Sequence, residues 1–473
     1  MNNSDARLVQ ILPSPRQLAF QQLEFYAFIH FTVNTFTGLE WGDGTEPESI
    51  FNPKLLDARQ WVDAIKSAGM RGLILTCKHH DGFCLWPSKY TEHSVKNSPF
   101  RGGKGDVVRE VADACAEAGL KFGVYLSPWD RNNALYGQGK AYDDYFIAQL
   151  TELLTEYGPI FDVWFDGACG EGPNGKRQYY DWERYYATIR RLQPDACINV
   201  CGPDIRWCGN EAGDTRPAEW SVVPERVRNT EKIASESQQA DDDSFRQRKL
   251  KASDRDLGSR EMLKGEERLI WYPAEVNTSI RPGWFYHAEE DDAVRSLDEL
   301  MHVYLGSVGG NGTFLLNIPP TPDGLLHEND VRRLHEIGDT LRDWFGSNLL
   351  TRADAVLTAD VCEPGFEPEH ALCDSYDRCF KTPDGVTEAT LTMRWDEPVD
   401  FRHVVLKEDL RYSQRIERCA IDVLVDGEWV CRYEGSVVGY KRIVPLAARA
   451  QAVRVRILDS RVCPTLAFVG VYA

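Results

Sequence analysis

Two periodicities divide the chain. Over about the first 350 residues, apolar runs of strand length alternate with segments whose apolar positions recur every three or four residues. Asp57 is placed to cap a helix, with Gln60 three residues on and Trp61, Ile65 and Ala68 on one face. Gly69 closes that helix, and the strand RGLILTCKHH follows at once. The unit repeats some fifty residues later, where Asp106 opens a helix with Val107, Val111, Ala114 and Ala118 on its apolar side. Gly119 ends it before KFGVYLSP. A helix followed by a strand that is apolar on both faces is the signature of a buried parallel sheet.

Further strands are expected in 24–33, 161–167, 196–202, 267–276 and 313–320, and helices in 141–157, 179–192, 291–307 and 328–345. About eight such units suit a TIM-type (β/α)8-like barrel with insertions, expected over 1–348. A doubly wound open sheet is the rival, but no glycine-rich dinucleotide loop follows the first strand. The polar stretch from about 225 to 265 reads as one of the long loops that shape a barrel's rim. Past residue 350 the period becomes two, in ATLTMRW, FRHVVL, CAIDVLV and VRVRIL, and Asp426-Gly427 supplies a hairpin turn. An antiparallel β-sandwich over 349–473 is therefore expected.

Composition narrows the function classes. With 42% hydrophobic and 27% charged residues, the 473-residue chain reads as globular and multidomain. Acidic residues outnumber basic ones 73 to 54, a formal charge of −19, which disfavours nucleic acid and anionic membrane as partners and leaves neutral sugars unpenalised. The thirteen cysteines form no CxxC pair, so neither a disulfide framework nor a zinc knuckle is signalled. Cys197, Cys201 and Cys208 are expected to be buried thiols. MNNSDARLVQ has no basic region ahead of an apolar stretch, so the chain as given is expected to be cytoplasmic; a trimmed secreted or periplasmic form would look the same. Nothing in the pattern specifies an oligomeric state.

Barrel enzymes carry their chemistry where strands end. The expected ends deliver His30, then His79-His80-Asp81, Ser127-Pro128-Trp129, Asp166, Glu275 and Asn317. A carboxylate closing the apolar run VWFDG is costly to bury without a role, although an Asp capping its own turn is the plain alternative. The adjacent histidines admit a metal reading, but no HxH or HExxH spacing accompanies them, and imidazoles bonding sugar hydroxyls fit equally well without missing ligands. Neither metal nor cofactor is expected. Trp41, Trp86, Trp129 and Trp284 offer flat apolar faces for a pyranose ring or a deoxy-sugar methyl.

Five segments together resemble glycoside hydrolase family 29, the α-L-fucosidases: FYAFIHFTVNTFTGLEWG, TCKHHDGFCLWPSKYTEHSV, KFGVYLSPWD, VWFDGACG and YPAEVNTSIRPGWFY. The likeness spans roughly residues 20–345. It implies a retaining exo-acting enzyme on fucosylated oligosaccharides, with Asp166 as nucleophile. By the same likeness, fucose is held by His30, Trp41, His79, His80 and Trp284, the last against the C6 methyl, with Tyr125 and Glu275 bordering the pocket. The sequence Asn210-Glu211-Ala212-Gly213 ahead of Glu219-Trp220-Ser221-Val222 is similar to the branch acting on α-1,3/1,4-linked fucose, which makes Glu211 the acid/base. Glu219, Glu275 and Glu40 are its alternates, with Glu275 open also to a reading as a structural or subsite carboxylate. The C-terminal stretch from Glu408 to Val430 resembles discoidin-like sandwiches appended to glycosidases, expected here to brace the barrel more than to bind sugar. Rival readings are a barrel glycosidase for another neutral or deoxy sugar, a non-catalytic sugar-binding protein on the same fold, and a metal-dependent hydrolase.

Overall fold

A computed structural model describes residues 3–231 and 255–473. Eight parallel strands form one sheet. Those first in sequence are β1 (Phe25–Ile29), β2 (Gly72–Lys78), β3 (Lys121–Leu126), β4 (Ile160–Phe165), β5 (Cys197–Val200) and β6 (Arg206–Trp207). Ala274–Ser279 and Thr313–Asn317 lie between β6 and β1, and a single bridge from Asn199 to Ile205 brings β5 and β6 together, so the sheet nearly closes into a barrel. The strands are buried on both faces, as their near-continuous apolar runs require.

The helix signals work as read. The Asp57 side chain accepts from the N–H groups of Arg59 and Gln60 to open Ala58–Ser67, and Asp106 accepts from Arg109 to open Val107–Ala118. Gly119 then takes the left-handed conformation that ends the second helix. The expected helix at 291–307 begins only at Leu297, where Ser296 and Glu299 form a capping box.

The sequence pattern does not disclose β6, and no helix separates it from β5; a short loop with buried Asp204 fills the gap, tied to Arg16 and Arg190. One expectation needs correction. The expected strand 267–276 is two strands. Leu269–Trp271 pairs antiparallel with Val222–Pro224 outside the barrel, and the barrel strand starts after Pro273, at Ala274. Pro273 has no N–H to give a ladder, so one strand cannot run through it. Much of the polar stretch 225–265 lies outside the described residues.

The helix Glu328–Phe345 is the last of the barrel region. Beyond it, an antiparallel six-stranded sheet is built on two 19-residue strands, Ala389–Lys407 and Arg442–Ser460. Their pairing shifts register at two points, the irregularities that let a sheet fold over its own apolar face. That face includes Leu391, Met393, Phe401, Val404, Ile421, Val423, Val453 and Val455. Asp426 and Gly427 both take positive φ, as a two-residue hairpin turn demands. All thirteen cysteines are free thiols, with Cys197, Cys201 and Cys208 buried. No described helix is long and apolar enough to cross a membrane.

Candidate active site

Asp166 follows the last residue of β4 and is partly open, its side chain 20% exposed. One carboxylate oxygen accepts from the Ala168 N–H at 2.8 Å and the other from the Tyr125 hydroxyl at 2.8 Å. Tyr125 reaches it from β3, the neighbouring strand, where it pairs with Trp164. The carboxylate opens onto a cleft of about 450 Å³ whose walls include Cys169, Arg177, Tyr180 and Trp182.

The histidines surround the same carboxylate. One nitrogen each of His79 and His80 and one oxygen of Asp166 lie within 4.8 Å of one another, and the His80 Nε2 to Asp166 Oδ2 distance is 3.7 Å. Such a triad could ligate a cation; it could equally grip a ligand hydroxyl. The hydrogen-bond network assigns the proton on His80. Ser127 Oγ gives its only proton to the Trp129 carbonyl, so it can only accept from His80 Nδ1, 2.7 Å away. The neutral ring therefore turns an Nε2 lone pair toward Asp166. His30 is fixed the same way. Asn317 donates both Nδ2 protons, to Ser279 and to the Trp284 carbonyl, leaving its Oδ1 to accept from His30 Nδ1 at 2.8 Å.

Burial pushes the His30 pKa down to about 3 and that of His80 down to about 4, the latter despite Asp166, and it holds His79 well below the usual value. Near neutral pH all three rings are uncharged. His30 and His80 then present acceptors, not cations, and a donor must come between His80 Nε2 and Asp166. A sugar hydroxyl meets that demand.

Aromatic walls complete the pocket. The Trp284 ring lies 5.1 Å from that of His30 and 6.4 Å from Phe28. Its backbone N–H and that of Phe285 donate to Glu40, which also bonds His287 at 2.7 Å. Trp41 stands edge-on to His80 and Trp129, 5.6 and 5.5 Å away. Trp86, by contrast, is buried and donates to Glu152, so it belongs to the core.

Glu211 sits in a loop organised by Asn210, whose Oδ1 accepts from the N–H groups of Ala212 and Asp214 while its Nδ2 donates to the Asp214 carbonyl. The Glu211 carboxylate accepts from Trp284 Nε1 at 3.3 Å and lines a hollow of about 170 Å³ with Thr278, Arg281 and Arg295. Asp166 and Glu211 are thus joined through Tyr125, His30 and Trp284, whose rings lie within 6.0 Å of their neighbours.

The alternates are engaged elsewhere. Glu219 is buried between Arg206 and Arg216, at 2.5 and 3.1 Å; burial raises its pKa, and the two guanidiniums more than reverse that. Glu40 anchors the Trp284 backbone. Glu275 is a correction to the sequence reading. It is the second residue of its strand, not the last, and lies fully buried below the rim, accepting from Tyr26, Trp164 and Asn199 at 2.5, 2.8 and 2.8 Å. Burial raises its pKa. Sequence reasoning named Ser127 and Asn317 only as strand-end polar groups; their place in fixing the histidine protons needs the three-dimensional network.

Comparison with known proteins gives the family. The family model described as alpha-L-fucosidase matches residues 21–344. Alpha-L-fucosidase 1 of Arabidopsis thaliana is 37% identical, over 98% of this chain and 87% of its own length. A crystal structure from Bacteroides ovatus is 42% identical and superposes with a TM-score of 0.85, over 99% of this chain and 76% of that one. A Ruminococcus gnavus GH29 fucosidase in complex with fucose is 27% identical, TM-score 0.83, over 98% of this chain and 95% of that one. With strand-end chemistry, fold and sequence in agreement, this chain belongs to the α-L-fucosidases of glycoside hydrolase family 29.

Proposed function

We propose that the protein is a retaining exo-α-L-fucosidase that removes terminal α-1,3/1,4-linked L-fucose from oligosaccharides or glycoconjugates. The observation that carries the reading is the Asp166 carboxylate, oriented by Tyr125 and faced by neutral imidazoles, in a chain of this family.

In this mechanism Asp166 attacks the anomeric carbon while Glu211 gives its proton to the departing glycosidic oxygen. The product of that step is a fucosyl ester on Asp166. Glu211 then takes a proton from water, the water attacks the same carbon, and α-fucose leaves with its configuration kept by two inversions. The His30 and His80 Nε2 atoms accept from sugar hydroxyls, which selects a ligand whose O–H groups point at them. Trp284 lends an apolar face for the methyl of a 6-deoxy sugar. The linkage preference rests on the Asn210-Glu211-Ala212-Gly213 loop and its likeness to the branch specialised for α-1,3/1,4 bonds.

The test is release of free L-fucose from a Lewis-type trisaccharide beside 2′-fucosyllactose. Release from the branched substrate, lost in Asp166→Asn, supports activity and linkage together. Release from 2′-fucosyllactose alone keeps the activity and removes the linkage assignment. No fucose from either, at high enzyme, removes both.

A further inference from the structure

The loop that carries Glu211 is held from two sides. On the pocket side, Trp284 donates to the Glu211 carboxylate, and Arg295 donates to the Ala212 carbonyl and to Thr278. On the far side the hold passes out of the barrel. Arg216 donates to the Cys208 carbonyl at the base of the loop and pairs with Glu219, which also pairs with Arg206. Glu219 opens the segment Glu219–Val222, and the C-terminal sandwich grips that stretch.

Four contacts make the grip. The Gln414 side chain accepts from the Ser221 N–H at 2.9 Å. Val437 packs in one small apolar cluster with Ala218, Trp220 and Val223. The Arg461 guanidinium lies 4.7 Å from the centre of the Trp220 ring and donates to the Gly258 carbonyl. The Tyr440 N–H donates to Asn311, which in turn donates to the Glu219 carbonyl at 2.7 Å. Gln414, Val437 and Trp220 are fully or almost fully buried, so these contacts are shielded from water.

We propose that the sandwich is a positioning element for the acid/base: Gln414 and Val437 fix the segment after Pro217 and, through Glu219 and Arg216, the loop that aims Glu211. The proposal rests on the reading of Glu211 as acid/base. Misplacing a catalytic group by about 1 Å can cost on the order of a hundredfold, so a grip of this kind bears on rate and not only on stability.

Leaving-group dependence separates aim from mere bracing. A nitrophenyl fucoside has a leaving group that departs without a proton, whereas an oligosaccharide needs the acid. Because kcat/KM reports the step that forms the fucosyl-enzyme, Gln414→Ala is expected to lower kcat/KM on the fucosylated oligosaccharide about tenfold and on the nitrophenyl fucoside less than about twofold. Val437→Ala, which removes packing but no hydrogen bond, carries the same comparison should Gln414→Ala fail to fold. Equal losses on both substrates, or none on either in a folded variant, would overturn the proposal. Glu211→Gln is run as the reference: if it shows no discrimination between the two substrates, the acid/base assignment itself fails and takes the proposal with it.

Discussion

The two ends of the barrel treat a carboxylate's charge in opposite ways. Below the strands, Glu24 precedes β1 at the junction with the sandwich, where Lys441 lies 2.8 Å from one oxygen and Lys407 3.5 Å from the other, with the Tyr440 hydroxyl at 3.1 Å. Burial raises its pKa, and the lysines outweigh burial and bring it down to about 2. At the rim, Asp166 has donors from Tyr125 and Ala168 but no Lys or Arg ion pair among the described contacts, and its histidine neighbours are neutral. A charge that only has to tie the barrel to the C-terminal sheet is fully matched. A charge that has to react is left for the substrate to complete.

The sharpest way to break this comparison is to remove each carboxylate in turn. Asp166→Asn is nearly isosteric, so the fold should persist while kcat falls by about 10⁴-fold in a fucose-release assay. Glu211→Gln should lower kcat/KM on an oligosaccharide by about 10²- to 10³-fold, with a far smaller loss on a nitrophenyl fucoside. Glu24→Gln should do the reverse. It leaves Lys441 against a neutral partner, while Lys407 keeps Asp374 at 2.8 Å, lowering unfolding free energy in urea by about 3 kcal/mol while kcat of the folded enzyme stays put.

Glu275→Gln sharpens the point inside the barrel. Its amide can accept fewer of the three hydrogen bonds, so about 2 kcal/mol of stability should be lost with KM unchanged. A raised KM would return Glu275 to the sugar pocket.

Acid offers a smaller, graded version. The folded pKa of Glu24 lies below its ordinary 4.5, so its contribution is present above pH 4.5 and is lost as pH falls toward about 2. His80 is a base whose folded pKa, about 4, lies below its ordinary 6.5. Between those values the unfolded chain binds the extra proton, so stability falls as pH drops from 6.5 to 4. His80→Gln should lessen the slope in the upper window of a pH–stability curve, which His30 and His79 share, and Glu24→Gln the slope in the lower one.

The rim was far more legible in the sequence than the base. His30, His79, His80 and Asp166 end apolar runs, and a strand end is readable because the apolar pattern stops there. The resemblance places Tyr125 beside the pocket, but its bond to Asp166 is not legible in the sequence, since it depends on the β3–β4 register. Glu275 was misplaced because LIWYPAEV reads as one apolar run, and the break at Pro273 decides which end of the strand the carboxylate occupies. Trp86 looked like a loop aromatic until its indole N–H met Glu152, a partner 66 residues away. Glu24 gave no local signal at all: its partners lie 383 and 417 residues further on, and long-range ion pairs leave no period in a sequence. The strand-rich C-terminal pattern disclosed its hairpin turn at Asp426-Gly427, but not that Gln414 and Val437 reach the segment beside the Glu211 loop.

The most direct test of the account is to trap the fucosyl-enzyme. The protein would be incubated with a 2-fluoro-fucosyl fluoride, whose ester hydrolyses slowly, then digested and analysed by mass spectrometry. The account predicts one fluorofucosyl adduct, on the peptide containing Asp166, absent from Asp166→Asn. An adduct on another carboxylate, or turnover of the reagent with no adduct and inverted product, would contradict it.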